Sequence, residues 1–183
     1  TGAFYMNKGA GNYVKANMAG DTDIGLQDFT MECWWSPTAN RTGSTQLISI
    51  FSNLDGAQGP RLAISQASAT NITIKLQPAA PSDYASPTLT VVQNAWYHLA
   101  AVRHANAVFL FLNGVKVHTA NQDQGLSWNS LPGVLTRDLR VVIGNLGGLG
   151  SGYPLMDDAR VTVGKALYIT NFTPPTAAFP DTY

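Results

Sequence analysis

Hydrolysis of a glycosidic bond needs two carboxylates flanking it, one as acid and one as nucleophile or base. This chain holds a single glutamate, Glu32, whose neighbours are Met31, Cys33, Trp34 and Trp35. The only adjacent acidic pair is Asp157–Asp158. Successive strand residues point to opposite faces, so these two are not expected to flank one bond. Glu32 reads instead as a paired or rim residue of a strand. His98, His104 and His118 fall on expected hairpin strands, and no Gly-x-Ser-x-Gly elbow accompanies them. Bond cleavage is therefore not expected, and passive binding is the chemistry left. An aromatic ring packs on the apolar C–H face of a sugar, while nearby polar groups fix its hydroxyls. Tyr84, Trp128 and Tyr153 are loop aromatics with polar or glycine neighbours, and Asn129 directly follows Trp128. Tyr84, Trp128, Asn129 and Tyr153 are thus the candidate glycan contacts. Hard-oxygen ligation of Ca²⁺ takes several carboxylates. The clustered carboxylates are Asp157 and Asp158, with Asp21 and Asp23 the nearest alternative, and no cofactor beyond such an ion is expected.

The elements that must position these residues are strands. Helical periodicity is nearly absent, and short β-rich runs recur between Gly, Pro, Asn and Ser. Strands are expected at 3–7, 12–17, 28–36, 46–52, 61–66, 71–76, 87–92, 96–104, 107–112, 115–119, 139–144 and 157–163. Asn113-Gly114 fits a type I′ hairpin turn, in which both central residues take positive φ. Trp34 and Trp35 must face opposite ways, and Trp96 is expected in the core. The run "NFTPPTAAFPDTY" should lie extended, neither strand nor helix. Two units follow: a β domain over 1–170 and a Pro-rich arm over 171–183.

Composition narrows the partners. Lys plus Arg equals Asp plus Glu at 11 each, and charged residues make up 12% of the 183 residues. A neutral, charge-poor chain argues against nucleic acid and against an anionic membrane surface. There is no apolar run of membrane-spanning length. Cys33 is the one cysteine, in an apolar run, and is expected to be a buried, inert thiol.

The ordered set "AFYMNKGAGNYV" (3–14), "DFTMECWWSPT" (28–38), "WYHLAAVRH" (96–104), "VFLFLNGVKV" (108–117) and "MDDARVTVG" (156–164) carries a family. It resembles the laminin-G-like domains of the concanavalin A-like lectin/glucanase superfamily, over nearly the whole chain. The resemblance implies an all-β fold, a two-sheet antiparallel jelly-roll sandwich. It also implies a Ca²⁺ position at the sandwich rim, where Asp157 and Asp158 begin a strand. The laminarinase-type Glu-x-Asp-x-x-Glu pattern of catalytic members is missing around Glu32. The tail "ALYITNFTPPTAAFP" (166–180) resembles a version of the domain found in bacteriophage virion proteins.

One strand is oily on both sides. The family pattern sends Val108, Leu110 and Leu112 inward, so Phe109 and Phe111 face the other way. Such a pair is either covered by the same chain, with loop 77–87 the expected cover, or is an assembly interface. The expected function is a non-catalytic module of a virion or extracellular surface: a capsid decoration, fibre or tail appendage. Its partners would be sibling subunits, other virion proteins and host-surface polysaccharide. The alternative is a carbohydrate-binding module of a secreted bacterial glycan-active protein.

Overall fold

The structure is a computed structural model that describes residues 4–5, 13–17, 27–37, 43–52, 58–68, 70–77, 84–121, 139–144 and 155–179. Among these residues the regular structure is entirely β. The strands are β1 (Phe4–Tyr5), β2 (Tyr13–Asn17), β3 (Phe29–Ser36), β4 (Gly43–Ser52), β5 (Gln58–Gln66), β6 (Asn71–Gln77) and β7 (Tyr84–Ala85). They continue as β8 (Leu89–Thr90), β9 (Tyr97–His104), β10 (Ala107–Leu112), β11 (Val115–Asn121), β12 (Leu139–Gly144) and β13 (Leu155–Val163). Two antiparallel sheets result. One has the order β1-β13-β3-β9-β10-β11; the other runs β2-β12-β4-β5-β6-β7, with β8 also paired to β6.

Period-two patterning builds the space between the sheets. Phe29, Met31, Cys33 and Trp35 point inward from β3, joined by Leu99, Ala101, Val108 and Leu110. Leu62 and Ile64 of β5 and Ile72, Ile74 and Leu76 of β6 face them from the other sheet. Trp35 is fully buried and Trp34 only partly, so the two indoles do face opposite ways. Cys33 is buried, and burial pushes its thiol far up, which keeps it from forming a reactive thiolate. The hairpin turn takes the expected form, with φ of 49° at Asn113 and 75° at Gly114.

Two expectations about aromatics are corrected. Trp96 is not core: it precedes β9 and is 39% exposed. Its neighbour Tyr97 packs on the core instead, opposite Trp35. Tyr84 is not a loop platform: it pairs with Leu76 and is buried in the core.

The first sheet is covered on both faces. Its outer face carries Thr30, Glu32 and Trp34 of β3, His98, Ala100 and Val102 of β9, and Phe109 and Phe111 of β10. Residues 164–179 follow β13 without strand or helix and lie over that face. Phe111 and Val102 become fully buried under Ala166, Tyr168 and Phe172. Phe109 stays partly buried, with the Lys116 ammonium 4.0 Å from its ring centre. The two phenylalanines are therefore not a bare interface, and the residues over them come from the tail. Polar anchors fix the path of the tail. Thr30 Oγ1 donates to the Lys165 carbonyl (3.2 Å) and accepts from Leu167 N–H (3.0 Å). Lys116 N–H donates to Asn171 Oδ1 (2.9 Å), and Phe172 N–H to the Gly114 carbonyl (2.9 Å).

Gly114 is where the tail comes closest. A β-carbon there would overlap the Phe172 carbonyl oxygen, and the positive φ already disfavours a side chain. Gly114→Ala is expected to lift the tail at Phe172 while the sandwich stays folded. The loss of buried aromatic surface should lower stability by about 2 kcal/mol. Urea unfolding reads that loss, and limited proteolysis with mass spectrometry should show faster cutting within 164–179. A variant as resistant as the parent would contradict the tight seat at Gly114.

Candidate functional site

Three charged or polar groups meet on the outer face of the first sheet because of its register. Arg160, Glu32, Ala100 and Phe111 stand in one cross-strand row over β13, β3, β9 and β10. Asp157, Trp34 and His98 stand in the next. Glu32 is completely buried. Its Oε1 accepts from Arg160 Nε–H (2.9 Å) and from the Arg160 Nη2 group. Its Oε2 accepts from the Tyr168 hydroxyl (2.9 Å) and lies 3.1 Å from His98 Nε2. A carboxylate only accepts, so the imidazole Nε2 is the donor. Burial pushes the Glu32 carboxyl up. Hydrogen bonds from His98 and Arg160, the Arg160 charge and the Tyr168 hydroxyl together outweigh that and hold it below the usual range. Glu32 is thus a saturated, ionised anchor, as its reading as a paired strand residue anticipated. Aromatic rings seal it. His98 is fully buried and meets Trp34, Phe172 and Phe179 edge-on at 5.4, 5.6 and 6.2 Å. Tyr168 and Phe172 stack at 3.6 Å, and the Arg160 guanidinium lies 4.1 Å from the Phe179 ring centre.

Beside this sealed network a groove of about 400 Å³ remains open. Trp34, Trp96, Asp157 and Asp158 line it together with Pro175, Thr176, Ala177 and Ala178 of the tail. A β-bulge explains how two adjacent aspartates share it. From Trp34 to Glu32, β3 advances two residues, while β13 advances three, from Asp157 to Arg160. The extra residue is Asp158, held at φ 44°. Strict alternation, which would send the pair to opposite faces, therefore fails at this point. Asp158 N–H donates to Asp157 Oδ1 (2.9 Å) and fixes that carboxylate. Burial, reinforced by the charge of Asp157, pushes the Asp158 carboxyl above its ordinary value.

The sequence-derived candidates separate as follows. Asp157 and Asp158 line the groove; Tyr84 lies in the core; Trp128, Asn129 and Tyr153 lie outside the described residues. Among the described residues no group of three or more His, Cys, Asp or Glu is gathered as a metal site would require, so the aspartates form a pair only. His104 sits at the surface, 2.7 Å from Asp28 Oδ2, and burial pulls the imidazole of partly buried His118 down. Trp34 and Trp96 are the groove residues that sequence reasoning missed. The outward face of Trp34, opposite Trp35, was the available signal. Trp96 was hidden because it abuts a strand.

A family model described as the concanavalin A-like lectin/glucanases superfamily matches residues 8–160. No curated protein matches the chain. Among solved structures, a native heptameric SAP-like pentraxin from Limulus polyphemus is 18% identical, with TM-score 0.57 over 84% of this chain and 77% of that one. Full-length tailspike protein 2 of an Escherichia coli bacteriophage is 13% identical, with TM-score 0.60; the match covers 91% of this chain but 25% of the tailspike. The enzymatically active domain of tailspike protein 2 from bacteriophage CBA120 gives 13% identity and TM-score 0.59, over 91% of this chain and 28% of that one. At these identities the likeness is one of fold.

The Glu32 network generates a pH prediction. Its folded carboxyl titrates below its unfolded value, so its stabilisation is complete above about pH 4.5 and is lost as pH falls through the lower folded value. Glu32→Gln should cost about 3 kcal/mol at pH 7, because it removes the charge of a fully buried carboxylate from its ion pair with Arg160. The variant should also unfold with a shallower dependence on pH between 5 and 3 (roughly the carboxyl range). Denaturant melts across that range measure both effects, and parallel acid slopes would contradict the assignment.

Proposed function

The chain belongs to the concanavalin A-like lectin/glucanase superfamily, and from that premise we propose that it is a non-catalytic adhesion module that holds a saccharide in the Trp34–Trp96 groove. The observation that carries the reading is the meeting of two indoles and two carboxylates around one open groove, on a face otherwise sealed by the tail. The indoles supply apolar faces for sugar C–H groups, and the aspartate oxygens accept from hydroxyls. A volume of about 400 Å³ suits a short stretch of glycan.

The non-catalytic part rests on the state of the carboxylates. Glu32 is buried beneath the tail and saturated by donors, so it has neither access to substrate nor a proton to give. Asp157 and Asp158 are neighbours in one bulge, tied together by the Asp158 N–H to Asp157 Oδ1 bond. Flanking a glycosidic bond takes carboxyl groups on either side of it, roughly 5 Å or more apart. The setting we propose is a virion or other extracellular surface. Its support is the match to two phage tailspike structures, of which the chain spans about a quarter, and the charge-poor composition. On such a surface the module would sit beside sibling subunits or other particle proteins, and no bound ion is required for its contact with sugar.

Trp96→Ala should weaken glycan binding about five- to tenfold, as loss of an aromatic platform of roughly 1–1.5 kcal/mol implies. Trp96 is already 39% exposed, so thermal stability should barely change. A glycan array finds the ligand, isothermal titration measures the loss, and a reducing-end assay on the same glycans should stay at background. Undiminished binding by the Trp96 variant would remove the groove from the reading. Product release that disappears on replacing Asp157 or Asp158 would make the protein an enzyme.

A further inference from the structure

The charge of the groove names the class of glycan it takes. Among the described residues its lining holds two carboxylates, two indoles and four tail residues, Pro175, Thr176, Ala177 and Ala178, and no Lys, Arg or His. Arg160, on the same face, is hydrogen-bonded to Glu32 and lies against Phe179. The carboxylates are not interchangeable surface charges. Asp157 is oriented by the Asp158 amide, and Asp158 is held outward by a positive-φ bulge.

We propose that the groove selects uncharged pyranosides bearing free vicinal hydroxyls and rejects glycans that carry uronate, sulfate or sialate groups. The proposal rests on the reading of the groove as a saccharide site and adds its specificity. Two fixed carboxylates can each accept from neighbouring hydroxyls, which gives direction to an otherwise sliding stack on indole. The same two charges oppose an anionic sugar held within a few ångströms; the described lining carries no cation, and the N-terminal charge that acts on Asp158 is outweighed by burial and by Asp157. Rejection by like charge is as much a source of specificity as attraction is. Such repulsion weakens with salt, whereas stacking on an indole does not.

The test uses matched pairs of oligosaccharides, neutral and carboxylated on the same backbone, titrated against the full chain at about 20 mM and about 500 mM salt, where the Debye length falls from roughly 20 Å to roughly 4 Å. Expected is at least a tenfold preference for the neutral member at low salt, shrinking at high salt because the anionic affinity rises. The Asp157→Asn/Asp158→Asn double variant should bring the low-salt ratio close to one, and circular dichroism should match the parent. Equal or tighter binding of the anionic member by the parent chain would overturn the proposal while leaving the saccharide site standing. A ratio that the double variant leaves unchanged would do the same. Binding of neither member, together with a silent glycan array, would defeat the saccharide reading itself and this proposal with it.

Discussion

A buried carboxylate organises the outer half of this molecule. Glu32 sits in the middle of a sheet with no contact to water, and an ionised group in that position must be met by donors or it unfolds its surroundings. Its donors come from separate places in the chain: Arg160 from β13, His98 from β9 and Tyr168 from the tail. The first two are set by strand register. The third exists only while the tail is docked, and the docked tail is also what removes water from Glu32. Anchor and cover therefore depend on each other, which makes tail docking a cooperative feature of the fold.

The row that carries Glu32 shows how the cover fits. Between the carboxylate on β3 and Phe111 on β10 stands Ala100, the smallest side chain in the row. Its size leaves space above the sheet that the stacked pair of Tyr168 and Phe172 occupies. A bulky residue at Ala100 would hold those rings away from both Phe111 and Glu32. The double oiliness of β10 is thus one half of a packing unit whose other half lies more than fifty residues further along the chain.

Distance along the chain separates what could be read from sequence and what could not. The antiparallel sandwich, the opposite facing of Trp34 and Trp35, the burial of Cys33 and the Asn113-Gly114 turn follow from local patterning, and the structure bears each of them out. The lack of strand and helix over residues 171–179 was likewise local, being set by its prolines. The surface that the tail covers was not local: the bonds joining Thr30 to Lys165 and Leu167 span 135 and 137 residues. Tyr84 and Trp96 were misassigned for a related reason. Each stands next to a boundary of a strand, where a shift of one residue exchanges inside for outside. The Asp157–Asp158 pair failed more sharply, because alternation was applied across a bulge that patterning does not reveal.

That bulge also bears on how one face can host both a sealed network and an open groove. Without the extra residue, β13 would keep strict phase with β3, and one aspartate of the pair would be driven toward the core, where an unpaired carboxylate is not tolerated. The extra residue absorbs the conflict at Asp158: Met156 and Ala159 both pack on the core, and Arg160 is returned to the outer face opposite Glu32. Placing Arg160 on its carboxylate and presenting two aspartates to the groove are consequences of a single backbone irregularity. A deletion that regularised the strand would shift both together. The open groove and the buried anchor are therefore structurally linked, although no side chain of the groove touches Glu32 in the contacts described above.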